Sequence, residues 1–138
     1  MFSKSVNGKF KFMELTVRLK QTKPGIVTLS LVGKIDAENY VILDREIGRV
    51  LTEPVKTLIL DMQGVDFITS AGIGTIVKAK TSLKRKGGDI AMINLQPQVK
   101  TVFEIIRLLP TLNVFESTKE LDEYLARVQN KMLGGDEF

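Results

Sequence analysis

The sequence predicts an α/β domain: a mixed β-sheet with an antiparallel N-terminal hairpin at its edge and about four helices packed against it. Three observations point there. The apolar pattern has period two from Met13, it switches to the helical period after Gly33, and short apolar runs then alternate with helical stretches to the end. At 138 residues, 43% hydrophobic and 26% charged, the chain suits one soluble globular core. The expected organisation is a flexible basic arm at 1–12, the domain at 13–131 and a flexible tail at 132–138.

Met13, Leu15, Val17 and Leu19 alternate with Glu14, Thr16, Arg18 and Lys20, the mark of a half-buried strand. Pro24-Gly25 supplies the turn, and Ile26 to Val32 forms the second strand of the hairpin. Tyr40, Leu43, Ile47 and Val50 recur at helical spacing, with Asp36 upstream where a cap or entry loop belongs and Glu53-Pro54 as the stop. Leu58-Ile59-Leu60 is a continuous apolar run that ends at the polar stretch from Asp61, as in a short strand covered on both faces.

The next helix begins near Ser70, turns Ile73, Ile76, Val77 and Leu83 inward and ends at Gly87-Gly88. Its lysines favour the C-terminal half, where the helix dipole welcomes cations. Ile90 to Leu95 reads as a strand. Pro97 opens a helix with Val99, Val102, Phe103, Ile106 and Leu109 on one face, and Pro110 closes it. Leu112 to Phe115 is a short strand. Ser117 and Glu120 make a capping box for a last helix that buries Leu121, Tyr124, Leu125 and Val128.

Composition excludes more chemistry than it suggests. There is no Cys and no His, so disulfides, thiolate nucleophiles, Ser-His-Asp triads and the commonest metal ligands are all absent. No set of acid, base and nucleophile converges, so the expectation is a protein that is not an enzyme, with no catalytic residues, no cofactor and no metal. The net charge of +4 is uneven: the first 23 residues carry +5 and the remainder −1. A nearly neutral body lacks the broad basic face that phosphate contacts require, so no nucleic acid is expected as partner. No apolar run approaches the roughly 18 residues of a membrane span, and no secretory signal opens the chain, which points to the cytoplasm.

The informative segment is Asp61-Met-Gln-Gly-Val-Asp-Phe-Ile-Thr-Ser-Ala-Gly-Ile-Gly74. It places Gly72 and Gly74 near the start of a helix, where each costs about 1 kcal/mol relative to alanine. Small residues Ala71, Gly72 and Gly74 allow another surface to approach, and Ser70 stands at the natural N-cap. Ser70 is then either a cap alone or an exposed hydroxyl for modification or docking. The spacing is neither G-x-G-x-x-G nor a P-loop, and the lysine of the latter is missing, which argues against nucleotide binding.

Gly33-Lys-Ile-Asp36, Leu58-Ile-Leu-Asp61, Val65-Asp-Phe-Ile-Thr-Ser-Ala-Gly-Ile-Gly74, Gly87-Gly88 before a strand, and the segment from Pro97 to Phe115 together resemble the STAS domain of bacterial anti-sigma factor antagonists. The likeness spans about Met13 to Val128. It implies a switch protein, monomer or weak dimer, whose unphosphorylated form binds an anti-sigma factor that is a serine kinase and so frees the sigma factor. Phosphorylation reverses the switch, and a metal-dependent serine phosphatase resets it. Ser70 falls on the phosphorylated serine and Asp36 on the acidic residue beside it. Asp36, Thr69, Ser70, Ala71, Gly72, Ile73 and Gly74 are the partner-binding residues that the resemblance implies. The family usually reads Asp-Ser-Ser/Thr-Gly where this chain reads Thr69-Ser70-Ala71-Gly72, so Thr69 is an alternative acceptor. A STAS subunit of a scaffold or transporter-associated complex, without phosphorylation, is the other reading.

Gly134-Gly-Asp-Glu-Phe138 repeats the signature of diguanylate cyclases. That signature belongs on a hairpin inside a cyclase domain. At the end of this chain it reads as a coincidental polar tail.

Overall fold

The structure, a computed structural model, describes residues 15–107 and 112–132. The expected arm at 1–12, Met13, Leu109 and Pro110, and residues 133–138 of the expected tail lie outside them.

Strands β1 (Leu15–Lys23) and β2 (Ile26–Ile35) form the antiparallel hairpin, joined at Pro24-Gly25, where Gly25 takes φ +80°. Helix α1 (Tyr40–Val50) leads to β3 (Thr57–Ile68), α2 (Ser70–Arg85) to β4 (Asp89–Ile93), α3 (Pro97–Ile105) to β5 (Asn113–Phe115), and α4 (Thr118–Met132) ends the domain. The sheet order is β1-β2-β3-β4-β5, with every pairing after the hairpin parallel. The mixed sheet and four helices agree with the sequence.

The order has a consequence for layering. Parallel neighbours are joined by right-handed crossovers, and crossovers that always step the same way put all their helices on one face. One core accordingly holds Leu43 and Ile47 of α1, Ile73 and Ile76 of α2, and Val99 and Phe103 of α3 against Leu29, Leu31, Leu58 and Leu60 of the sheet. The opposite face is left to α4, whose Leu121, Tyr124 and Leu125 cover Ile59, Ala91 and Ile93, with Ile26 and Phe115 at the margin. Leu58, Ile59 and Leu60 are therefore buried on both faces, as their continuous apolar run indicates.

Several details depart from the sequence reading. β3 does not stop near Leu60 but continues to Ile68 beside an equally long β2, with Ile35 opposite Ile68. Two register shifts, at Ser30/Val32 and Gly33/Lys34, place extra residues on β3. The buried positions thus run Leu58, Leu60, Met62, Val65 and Ile68, spaced by two and then by three, and the broken alternation disguises the strand as loop.

β4 leaves β3 after Ile93, which pairs with Asp61. Side-chain amides take its place along the remainder of β3. Asn94 Nδ2 donates to Asp61 Oδ1 (3.1 Å), Gln96 Nε2 to the Gln63 carbonyl (2.7 Å) and Gln98 Nε2 to the Asp66 carbonyl (3.3 Å). Gln96 and Gln98 thus meet backbone carbonyls as a neighbouring strand would, while Asn94 holds the Asp61 carboxylate where β4 departs.

Helix α3 ends at Ile105, short of the expected Leu109; Ile105 lies on its outer face, and Ile106, expected inside, is exposed where the chain leaves the helix before Arg107 at φ +60°. Leu19 and Val77, expected inside, are exposed. Leu19 sits on the edge strand, where it borders a groove of ≈ 500 Å³ with Val27, Val50 and Val55. β4 is Asp89–Ile93 rather than Ile90 to Leu95, and β5 begins at Asn113. The capping box before α4 forms with a shift: Glu120 N donates to Ser117 Oγ (3.3 Å), while Glu120 Oε1 accepts from the Glu116 amide (2.8 Å).

Candidate functional site at the start of helix α2

The site lies where β2 and β3 end side by side. Because Ile35 opposes Ile68, the next residues, Asp36 and Thr69, leave the sheet together at its C-terminal edge. Thr69 N donates to the Ile35 carbonyl (2.9 Å), which fixes the exit of the chain into α2. The N-cap is Thr69 and not Ser70: Thr69 has extended backbone (φ −110°, ψ 176°), and its carbonyl accepts from Ile73 N (3.0 Å). No side chain caps this helix.

The two adjacent hydroxyls therefore have opposite environments. Thr69 Oγ1 is buried with no hydrogen-bond partner among the described residues, whereas Ser70, the first helical residue, is exposed. The first turn carries no acidic residue, so nothing there neutralises the partial positive charge of the free amides.

Asp36 is engaged locally. Its Oδ1 accepts from the amides of Glu38 (2.9 Å) and Asn39 (3.1 Å), and its own amide donates to Asn39 Oδ1 (2.9 Å). Asn39, fully buried, also donates through Nδ2 to the Lys34 carbonyl (2.8 Å). This reciprocal box ties the end of β2 to the start of α1, where Tyr40 N reaches the Asp36 carbonyl (2.9 Å). Asp36 thus closes the entry turn that leads into α1, whose own N-cap is Asn39, and it holds the loop beside Thr69.

Of the other small residues, Gly72 is internal. A Cβ on it would stand 2.6 Å from Ile35 Cγ2 and 2.9 Å from Ile68 Cγ1, so its hydrogen lets α2 sit down on the strand ends. The close approach expected of a partner is here made by the sheet. Gly74 is the reverse case: it is exposed, and nothing lies within 4 Å of the space a Cβ would take. Ile73 is buried in the core, and Ala71 is half-buried, its carbonyl accepting from Thr75 Oγ1 (3.1 Å). The solvent-facing set is Ser70 and Gly74, with Asp36 half-buried beside them.

The carboxylates do not gather around Ser70. Asp61 is bound to Asn94 and the Gln63 amide (3.1 Å), seven residues before Ile68 and so about 20 Å up the strand. Asp66 pairs with Lys34 at 3.4 Å. Sequence reasoning missed two neighbours of the site, Lys34 and Phe67, which the second register shift brings opposite each other; the Lys34 ammonium lies 5.6 Å from the Phe67 ring centre. Their trace in the sequence is an aromatic, Phe67, in a segment that reads as loop.

The sequence profile of the STAS domain matches residues 18–121. The chain belongs to the STAS domain family. Among curated relatives, BtrV of Bordetella bronchiseptica, described by its name as an anti-sigma factor antagonist, is 27% identical over 93 residues, 67% of this chain and 80% of its own length. Among solved structures, the anti-sigma factor antagonist SpoIIAA in its unphosphorylated form superposes with TM-score 0.63 at 20% identity, covering 83% of this chain and 98% of SpoIIAA; the Bacillus protein is also known in its phosphorylated form. The murine anion transporter Slc26a9 contains a similar region, 25% identical with TM-score 0.62, covering 75% of this chain but 18% of the transporter.

Proposed function

We propose that this protein is an anti-sigma factor antagonist that works in the cytoplasm by binding and not by catalysis. Its unphosphorylated form engages an anti-sigma factor that is itself a serine kinase, so that the sigma factor is released. Phosphorylation of Ser70 ends the association, and a metal-dependent serine phosphatase restores it. The observation that carries this reading is the contrast between two neighbouring hydroxyls: Ser70 is open to solvent at the first position of α2, and Thr69 Oγ1 is buried. A kinase can reach the one and not the other.

The geometry also suits a switch without unfolding. A phosphate on Ser70 would bring about −1.5 to −2 charges to a helix start that favours anions by roughly 0.3 to 1 kcal/mol. The domain stays folded, and the effect falls on the partner through bulk and repulsion. The test is incubation of the full chain with the cognate anti-sigma kinase and ATP, followed by intact mass and peptide mapping. One phosphate is expected, on Ser70; Ser70→Ala binds and resists labelling, and Ser70→Asp keeps its circular-dichroism spectrum while losing affinity. Wild-type affinity of Ser70→Asp, with Ser70 and Thr69 both unlabelled, would replace this reading with that of an unphosphorylated STAS scaffold, the kind of context in which the transporter carries its similar region.

A further inference from the structure

The sheet has one half-face that no described element covers. Among the described residues, helix α4 packs on β3, β4 and β5 and meets β2 at Ile26. Beyond it the same face of β1 and β2 presents Thr16, Arg18, Lys20, Thr28, Ser30, Val32 and Lys34. At its upper end, next to the Asp36 loop and the start of α2, an apolar patch is formed by two exposed side chains on adjacent strands. Val32 is 56% exposed and Phe67 47%. Gly64, opposite Val32, makes room for it, since a Cβ there would lie 2.8 Å from Val32 Cγ2. Lys34 closes the patch over the Phe67 ring.

We infer that this half-face is a second docking surface, which takes an acidic segment with an apolar stripe from the same anti-sigma partner; the inference rests on the function proposed above. Three features select that occupant. The surface is continuous with Ser70, because Lys34 and Phe67 lie two and three residues from Asp36 and Ser70. Its charge is cationic: Arg18, Lys20 and Lys34 face out, Asp61 is held by Asn94, and Asp66 is bound to Lys34 only through an ion pair whose members are 59% and 55% exposed, which a partner carboxylate can displace. A second copy of this chain is disfavoured, since a two-fold axis through the face would set Arg18 and Lys20 against the same residues of its mate.

The experiment is calorimetric titration of the full chain with the cognate anti-sigma factor, comparing wild type with Phe67→Ser, Lys34→Glu and Arg18→Glu. Circular dichroism and melting first establish that each variant is folded. Phe67→Ser and Lys34→Glu are expected to weaken binding about tenfold or more, and Arg18→Glu about threefold, the last difference disappearing in high salt because an exposed charge is screened. Val32→Thr, which keeps shape and strand preference, supplies a milder second probe of the patch and is expected to weaken binding about threefold. Wild-type affinity in all four variants, with Ser70→Asp still defective, overturns the second surface and leaves the proposed function standing. No binding by the wild type overturns both. Dimerisation of the free chain that Phe67→Ser abolishes assigns the face to a second copy and overturns the inference as well.

Discussion

Gly72 and Gly74 stand two residues apart in one helical turn, and the structure gives them opposite tasks. The first is a packing glycine. Gly72→Val should destabilise the domain by about 1 to 3 kcal/mol or more, since the added carbons meet Ile35 and Ile68 where no rotamer can withdraw; a urea titration measures it. A glycine kept small for a partner's approach would, when enlarged, harm binding more than folding; at Gly72 the sheet makes the approach, and folding should suffer first. Gly74→Ala should stabilise by about 0.5 to 1 kcal/mol, because the position is helical and unobstructed. Gly74→Val is the binding probe that leaves the fold intact: affinity for the anti-sigma factor should fall while the melting temperature holds within a few degrees.

At the scale of elements, the two long central strands and the single helix on the far face decide where the molecule is weak. The distal half of β3 takes from Gln96 and Gln98 the donors that β4 would have supplied. Gln96→Ala should speed amide exchange at the end of β3 by more than it lowers global stability, because the loss is local. Hydrogen exchange followed by mass spectrometry would show uniform protection if the amides were incidental. Helix α4 rests on the small cluster of Ile59, Ala91, Ile93 and Leu121. Leu121→Ala should cost about 2 to 5 kcal/mol, with α4 and β5 losing protection before β2 and β3 do. Equal losses across the domain would indicate that the two cores unfold as one.

The whole molecule is tied together at the other end of the sheet by Asp89. Its Oδ1 pairs with Lys80 (3.0 Å) and accepts from the Ile90 amide (2.7 Å), while Oδ2 pairs with Lys84 (3.2 Å) and accepts from Asn113 (3.0 Å). One carboxylate thus links α2, β4 and β5. Burial pushes its pKa up, but the Ile90 amide and the two lysines outweigh that, and the group titrates below its ordinary value of 3.8. A pKa lower in the folded than in the unfolded state stabilises the fold above the unfolded value, and this contribution is lost as pH falls through the folded one. Asp89→Asn should therefore be less stable than wild type above about pH 4, by about 1 to 2 kcal/mol. The gap should close as the pH drops further. Thermal melts from pH 7 to 2.5 check the sign; a gap that widened on acidification would contradict it.

The order of elements, the edge hairpin, the strand buried on both faces at Leu58 to Leu60 and the family were all legible along the chain. Those follow from local periodicity, turn residues and spacing, which a linear chain displays directly. The sequence also singled out Ser70 and Asp36. That Thr69 is the cap and Ser70 the open hydroxyl emerges only on folding, because burial of Oγ1 depends on how α2 settles over Ile35 and Ile68. The long end of β3 was illegible for a related reason: two register shifts replace alternation by a spacing of three, and its edge bonds come from amides about thirty residues away in sequence. The exposed patch of Val32, Lys34 and Phe67 exists because every crossover helix falls on one face and α4 is too narrow to roof the other, and no window of residues read along the chain contains that geometry.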